Sequence, residues 1–342
     1  VIHLSGESGI LKDLVGSKPL IIFHWDADGI TSTSLLKNFL ELDPYLYVPR
    51  IGFYLIDLDE VSMFKGFDNI FIVDFGVETP ILERLGDRFG CEVFVFDHHH
   101  RRHSKKIKIF NYLVDGRPYP SESVMVTELL HLEPNLLTVL GYVGDLFDRA
   151  LNDRYSYILK HVESRYGYEY SSIKYMVDLI QSNYVFQDRD EIIRSVDYLI
   201  DSLEDPNIIF ENDLWKARYN EMMDTIDRLR DMEPIKMGRV LFFEVKESLY
   251  ITSYIGRDLA KKYRGYYVLV GFPNLSDGYS QIYLRIDGEP DISFRDLIAE
   301  LNNLGLYAGG KERVLGVFME KDRYREVINH ILKKLGVGDG MW

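Results

Sequence analysis

The sequence predicts an α/β protein in three parts: a parallel-sheet domain over residues 1–150, a helical connecting segment over 151–234, and a smaller α/β domain over 235–342. Three observations carry this. Before residue 100, short apolar runs end in acids or histidines, and helix-periodic stretches follow the first two. From about 122 to 232 the apolar spacing is helical throughout. After Pro234 the texture changes, and runs rich in Val, Ile, Tyr and Phe return between helices. A chain of 342 residues with 46% hydrophobic composition suits two or three buried cores.

The first apolar run, PLIIFH at 19–24, reads as a strand, and Ile30, Leu35, Leu36, Phe39 and Leu40 follow at helical spacing. Residues 70–73 repeat the pattern: a strand ending at Asp74, then a helical stretch with Pro80 in its first turn, where the missing N–H costs nothing. A third run, 93–96, ends at Asp97. Strands alternating with helices imply a parallel sheet covered on both faces, with ligands beyond the C-terminal ends of the strands. Helices are expected over 123–132, 135–143, 171–181, 191–202 and 214–230, with breaks at Asp205-Pro206 and Glu233-Pro234. Beyond the second break, 239–245, 266–272 and 281–286 read as strands, and 254–263, 293–303 and 322–335 as helices. Residues 336–342 read as a loose tail.

Charge is distributed unevenly. Residues 236–342 carry 16 Lys+Arg against 14 Asp+Glu, so the chain's net −14 places −16 on residues 1–235. Part of that excess fits metal ligands, whose charge cations would offset. The single cysteine, Cys91, excludes an internal disulfide and a cysteine-built zinc site, and it points to an intracellular, cytoplasmic protein. No apolar run is long enough to span a bilayer, so no membrane partner is expected. No GxxxxGK[ST] loop is present, which argues against an NTPase.

Four places carry candidate chemistry. In HWDADG, His24, Asp26 and Asp28 alternate, so an extended chain would put them on one face, and Gly29 would permit the turn into a helix. Asp74 stands alone at a strand end. Asp97, His98, His99 and His100 form an acid followed by three of the chain's nine histidines. Asp145 lies in GYVGD, with Asp148 a neighbouring competitor. Taken singly, each also fits a solvated loop, a helix cap or a surface cluster. Together they supply what two hard divalent cations about 3.5–4 Å apart require, a bridging carboxylate and further O and N ligands. Mixed carboxylate and imidazole ligands favour Mn²⁺, with Mg²⁺ or Co²⁺ also admissible.

In this order the motifs resemble the DHH phosphoesterase superfamily, and within it the RecJ-like nucleases that carry a DHHA1 domain. HWDADG is similar to the family's DxDxDG motif, with His24 where RecJ-type proteins have Asp. Asp74 matches the second motif, Asp97-His98-His99 the name-giving third, and Gly141-Tyr142-Val143-Gly144-Asp145 the fourth, with Tyr142 in place of Thr. In the second domain, Gln281 to Arg285 followed by Ala308-Gly309-Gly310 resembles the DHHA1 strand and its glycine-rich loop, with Lys311 replacing the usual His. Residues 151–234 are poorly matched. The resemblance implies a parallel-sheet DHH domain, a helical connector and a DHHA1-like domain. It implies that His24, Asp26 and Asp74 hold one cation and that Asp28, Asp74, His98 and Asp145 hold the other. His99 would contact a phosphate oxygen or the leaving group, and Asp97 would orient the histidines. His100 and His103 receive no role.

Arg285, Lys311 and Arg313 are the candidates for gripping phosphate, with Gly309 and Gly310 letting backbone N–H groups approach it. Residues 101–106, RRHSKK, fit either a nucleic-acid backbone contact or a solvated loop. The function this implies is a two-metal exonuclease that releases mononucleotides from single-stranded DNA or RNA. A 3′→5′ direction is preferred, from likeness to an archaeal helicase-associated branch, and a helicase or other replication or repair partner would fit beside it. The alternatives are a phosphodiesterase for short oligonucleotides (nanoRNase) or cyclic dinucleotides, and a catalytically inactive replication scaffold. Inorganic pyrophosphatase fits less well, because that branch lacks the glycine-loop domain.

Overall fold

The structure is a computed structural model that describes residues 11, 14–15, 17–99, 104–114, 116–276 and 278–338. His100, His103 and the first half of the 101–106 run lie outside the described residues, as do the last four residues of the tail. The chain forms two compact units: residues up to 184 with 188–218, and 185–187 with 219 onward.

The first unit is built on a five-stranded parallel sheet of β1 (Leu20–Phe23), β2 (Tyr45–Tyr47), β3 (Asn69–Val73), β4 (Glu92–Phe96) and β5 (Lys108–Phe110), in the order β2-β1-β3-β4-β5. The runs LIIF, NIFIV and EVFVF are nearly continuous in apolar residues because helices cover both faces of a parallel sheet. The edge strands β2 and β5 have three residues each, too few to give a periodic signal in sequence. A short antiparallel pair, β6 (Leu113–Val114) and β7 (Arg117–Pro118), follows β5 and leads into the helices. Residues 27–39 form α1 (Ala27–Phe39). The sequence suggests a helix with one apolar face, but α1 is buried on nearly all sides, and Phe39 is the large residue left outside. Its run Thr31-Ser32-Thr33-Ser34 is wholly buried. Small side chains let neighbouring helices close in, and three of the hydroxyls bond to carbonyls of the preceding turn, as in Thr31 to Ala27 at 2.8 Å and Thr33 to Gly29 at 2.8 Å.

Against α1 pack α4 (Glu122–Leu129), α5 (Leu136–Leu146) and α8 (Arg189–Asp201). Between β3 and β4 runs α3 (Thr79–Phe89), with Pro80 in its first turn, and a single turn, α2 (Leu58–Val61), precedes β3. The helix α5 starts on a reciprocal cap in which Asn135 and Thr138 each bond the other's backbone N–H at 3.2 Å. Helices α6 (Tyr157–Tyr166), α7 (Tyr170–Val185), α9 (Asn207–Glu211) and α10 (Asp213–Arg230) complete the helical stretch; α6 and α9 have no counterpart among the expected elements.

The second unit is a six-stranded mixed sheet of β8 (Ile235–Met237), β9 (Val240–Glu244), β10 (Tyr267–Ser276), β11 (Tyr279–Ile286), β12 (Tyr307–Lys311) and β13 (Val314–Glu320), in the order β12-β13-β11-β10-β9-β8. Only β9 and β10 run parallel, joined through α11 (Thr252–Lys262). Phe242, Leu269, Leu284 and Val317 form its core with Phe294 and Leu301 of α12 (Phe294–Asn303) and Ile328 and Ile331 of α13 (Tyr324–Lys334). Gly309 and Gly310, expected in a loop, lie instead in β12, an edge strand paired with β13. No helix among the described residues is long and apolar enough to cross a membrane.

Candidate metal centre

The sheet ladder continues one residue past the strands. His24 N–H donates to Val73 O (3.1 Å), Asp74 N–H to Phe96 O (2.8 Å), and Asp97 N–H to Phe110 O (3.2 Å). Three polar residues therefore line the C-terminal edge of neighbouring strands at strand spacing. The strand order reverses between β1 and β3, so His24 and Asp74 flank the crevice where doubly wound sheets bind ligands.

Asp74 occupies the left-handed region at φ +52°, which Asp tolerates better than most residues. Such strain collects at functional positions. The side chain is 3% exposed. Its Oδ1 lies 3.5 Å from His98 Nε2 and 3.7 Å from His99 Nδ1, while Oδ2 lies 3.9 Å from His24 Nδ1. Asp26 caps α1 by accepting from Gly29 N–H at 3.1 Å, and its other oxygen is 2.9 Å from His24 Nδ1. Gly29 serves by close approach, since a Cβ there would lie 2.3 Å from the His24 carbonyl oxygen.

Asp28 is fully buried, and the first turn of α4 holds it: Glu122 N–H and Ser123 N–H donate to its two oxygens at 2.6 and 2.9 Å. Asp145, in the last turn of α5, reaches within 3.2 Å of His98 Nε2. One turn earlier stands Gly141, where a Cβ would sit 2.4–2.5 Å from Ser123 Oγ, Asp28 Oδ1 and Thr31 Oγ1. Only glycine lets α5 press against the carboxylate of Asp28.

The histidines are oriented by different partners. His98 Nδ1 is 3.1 Å from the Tyr119 carbonyl, which can only accept, so Nδ1 carries the proton. Nε2 is left facing Asp28 (4.0 Å), Asp74 (3.5 Å) and Asp145 (3.2 Å). His99 Nδ1 is 2.8 Å from Asp97 Oδ1, and the same oxygen accepts from His99 N–H. Asn111 donates from Nδ2 to the carbonyls of Asp97 and His99 and so pins the turn between them.

Donor atoms thus gather in overlapping groups: His24, Asp26 and Asp74; Asp28, His98 and Asp145; and Asp74, His98 and His99, each within 4.8 Å. Burial, then the charge of Asp28, pushes the Asp74 carboxyl well above the ordinary carboxylate range. The same two causes push Asp145 up to about 7, and burial also raises Asp28. Burial works against the charge of His98, but the nearby carboxylates of Asp74 and Asp145 override it and hold that histidine well above its usual value. The buried atoms Asp74 Oδ1, His98 Nε2 and His24 Nδ1 have no hydrogen-bond partner. Carboxylates this crowded, with lone pairs aimed inward and unspent, fit hard divalent cations.

The second unit has a cationic cleft of about 530 Å³ lined by Arg285, Arg295, Gly310, Lys311, Glu312 and Arg313. Arg285 donates to Tyr283 Oη at 3.1 Å, Arg313 pairs with Glu289, and Arg295 lies 3.9 Å from Glu312. Gly309 sits beside the cleft, opposite Gly316 in the ladder. Sequence reasoning missed Arg295, an exposed residue on an amphipathic helix. It also missed Tyr119, Asn111 and Glu122, of which Tyr119 acts through a backbone carbonyl and Glu122 through an amide, and such groups leave no trace in sequence.

Residues 18–145 match the family model described as the DHH family, N-terminal domain. No curated protein sequence matches the chain. Among solved structures, a DHH-domain protein described as a member of a family of ribosomal proteins aligns over 97% of this chain and 90% of its own, at 14% identity and a TM-score of 0.70. The exonuclease RecJ bound to manganese aligns over 97% and 94%, at 16% identity and 0.66. The pGpG-specific phosphodiesterase of Vibrio cholerae aligns over 93% and 99%, at 12% identity and 0.53. At these identities the likeness is one of fold. Residues 18–145 thus match the DHH family's N-terminal domain, and the fold of the chain as a whole is similar to that of RecJ.

Proposed function

We propose that the chain is a two-metal phosphodiesterase that removes mononucleotides from single-stranded nucleic acid, in the 3′→5′ direction. The observation that carries this is the position of Asp74, whose two oxygens face two separate donor groups. In this reading His24, Asp26 and Asp74 hold one cation, and Asp28, Asp74, His98 and Asp145 hold the other. Divalent cations there, Mn²⁺ in the first place with Mg²⁺ or Co²⁺ as substitutes, would polarise the phosphoryl oxygens and acidify water at neutral pH. The rest falls to the protein. Glu122 and Ser123 amides fix Asp28, the Tyr119 carbonyl fixes His98, and Asp97 turns His99 so that Nε2 is free to meet a phosphate oxygen or the leaving group. Arg285, Gly309, Gly310, Lys311 and Arg313, joined by Arg295, supply the second unit's grip on phosphate.

The fold shared with the pGpG-specific phosphodiesterase favours a second reading, a phosphodiesterase for very short oligonucleotides. One experiment separates them: end-labelled single strands from 2 to about 30 nucleotides, incubated with Mn²⁺ and either wild type or Asp74→Asn. Preference for long strands, with mononucleotides released from the 3′ end, supports the first reading. Preference for dinucleotides selects the second. No Mn²⁺-dependent cleavage at any length removes both and leaves an architectural role.

A further inference from the structure

His24 stands among aromatic rings. Its ring centroid lies 4.4 Å from that of Trp25, 5.9 Å from Tyr54 and 6.3 Å from Phe75. Tyr54 is carried by an irregular segment between β2 and α2 and is 52% exposed. Its ring stacks on the buried Phe75, the residue after Asp74, at 5.7 Å and 14°. That stacking brings the Tyr54 hydroxyl to 3.4 Å from His24 Nε2.

The other ring nitrogen faces the acids. His24 Nδ1 is 2.9 Å from Asp26 Oδ2 and 3.9 Å from Asp74 Oδ2, yet it is buried and has hydrogen-bond geometry to neither. A neutral imidazole carries one proton and one lone pair on opposite nitrogens. A proton on Nδ1 would have Asp26 Oδ2 2.9 Å away but out of line for a hydrogen bond, so it would be poorly satisfied. A proton on Nε2 has the Tyr54 oxygen to receive it and leaves the Nδ1 lone pair pointing among the carboxylates.

We propose that Tyr54 is a positioning residue for the metal centre: its hydroxyl oxygen accepts the Nε2 proton of His24, fixing the tautomer and ring orientation in which Nδ1 serves as a ligand. This rests on the two-cation reading above. It explains how a neutral histidine can stand at a position where RecJ-type motifs have an aspartate. A carboxylate offers a lone pair in any orientation, whereas an imidazole must be held by its second nitrogen. The support comes from a residue 30 positions away, in a segment without periodic signal.

Tyr54→Phe tests this, because it keeps the ring on Phe75 and removes only the oxygen. In the metal-free protein, nitrogen-15 imidazole spectra, with the His24 signal identified by its loss in His24→Asp, should show the Nε2–H tautomer in wild type and a shift toward Nδ1–H in Tyr54→Phe. Calorimetric Mn²⁺ titration should show one of two sites weakened about 10- to 100-fold and the other unchanged. In a His24→Asp background, adding Tyr54→Phe should change neither site, since no ring proton remains to be held. The proposal is overturned by an Nδ1–H tautomer in wild type, by unchanged Mn²⁺ affinity in Tyr54→Phe, or by an equal loss in the His24→Asp background. Wild type that binds no Mn²⁺ would bring down the two-cation reading itself; wild type that binds two ions, beside a Tyr54→Phe that binds both as well, would bring down this proposal alone.

Discussion

In the first unit, carboxylates and imidazoles converge around the buried Asp28, Asp74 and His98, several of them held by a backbone group or a neighbouring side chain; in the second, Arg295, Lys311 and Arg313 stand exposed around a hairpin, with Arg285 half buried beside them. Like charges that converge in a buried site raise one another's cost, so the arrangement makes chemical sense only with cations in it. Exposed cations are screened and hydrated, and their number matters more than their individual placement. The first region should therefore respond to substitution in an all-or-none way, and the second in graded steps.

The largest contrast is expected at Asp74. Asp74→Asn keeps a residue that accepts φ +52° but removes the shared negative charge. Mn²⁺-dependent cleavage should fall by roughly 10³-fold or more, on the scale of losing a preorganised electrostatic partner. The same variant, metal-free, should melt no lower than wild type, because it relieves carboxylate crowding. A variant that retains activity would break the comparison at its root. Next comes a pair of glycines. Gly141→Ala drives a methyl group into Asp28, Ser123 and Thr31 and should cost about 1–3 kcal/mol in urea unfolding. Gly309→Ala meets nothing within 4 Å and should stay within about 0.5 kcal/mol. In the cationic cleft, Arg285→Ala with Lys311→Ala should raise KM about tenfold for a single strand and leave kcat within about twofold. An equal fall in kcat would show that the cleft takes part in the chemical step.

The smallest effect is in pH. Burial and mutual repulsion raise Asp145 to about 7 and raise Asp28 and Asp74 as well. Between the ordinary carboxylate pKa of about 3.9 and about 7, the native metal-free protein then binds more protons than the unfolded chain. Its stability should fall as pH rises through that window, as thermal melts in chelator at pH 5, 6 and 7.5 would show. Saturating Mn²⁺ should flatten or reverse the trend, since bound cations displace the shared protons. A metal-free stability that increases across the window would contradict the description of the site.

Legibility in the sequence divides along the same line. His24, Asp26, Asp28, Asp74, Asp97 and His98 could be read because apolar strands end abruptly in polar residues, and parallel register turns that linear feature into proximity. Asp145 depended on its motif spacing, since nothing in an isolated helix announces an acid facing inward. The burial of Thr31 to Ser34 ran against polarity, because helices that approach closely select for small size first. In the second unit Gly309 and Gly310 looked like a loop because glycine weakens strand propensity, yet pairing with β13 overrides it. The placement of Tyr54 was unreadable, since it comes from an irregular segment stacking on Phe75, just past the end of β3.

The left-handed backbone at Asp74 narrows the ways this protein can change. Most replacements at that position would meet a steric objection as well as a chemical one, while Asn and Gly keep the chain path. A descendant that gives up the buried carboxylate cluster but keeps the architecture has few doors out, and a single-letter swap at residue 74 in a related sequence would mark the passage more clearly than drift anywhere else on the sheet.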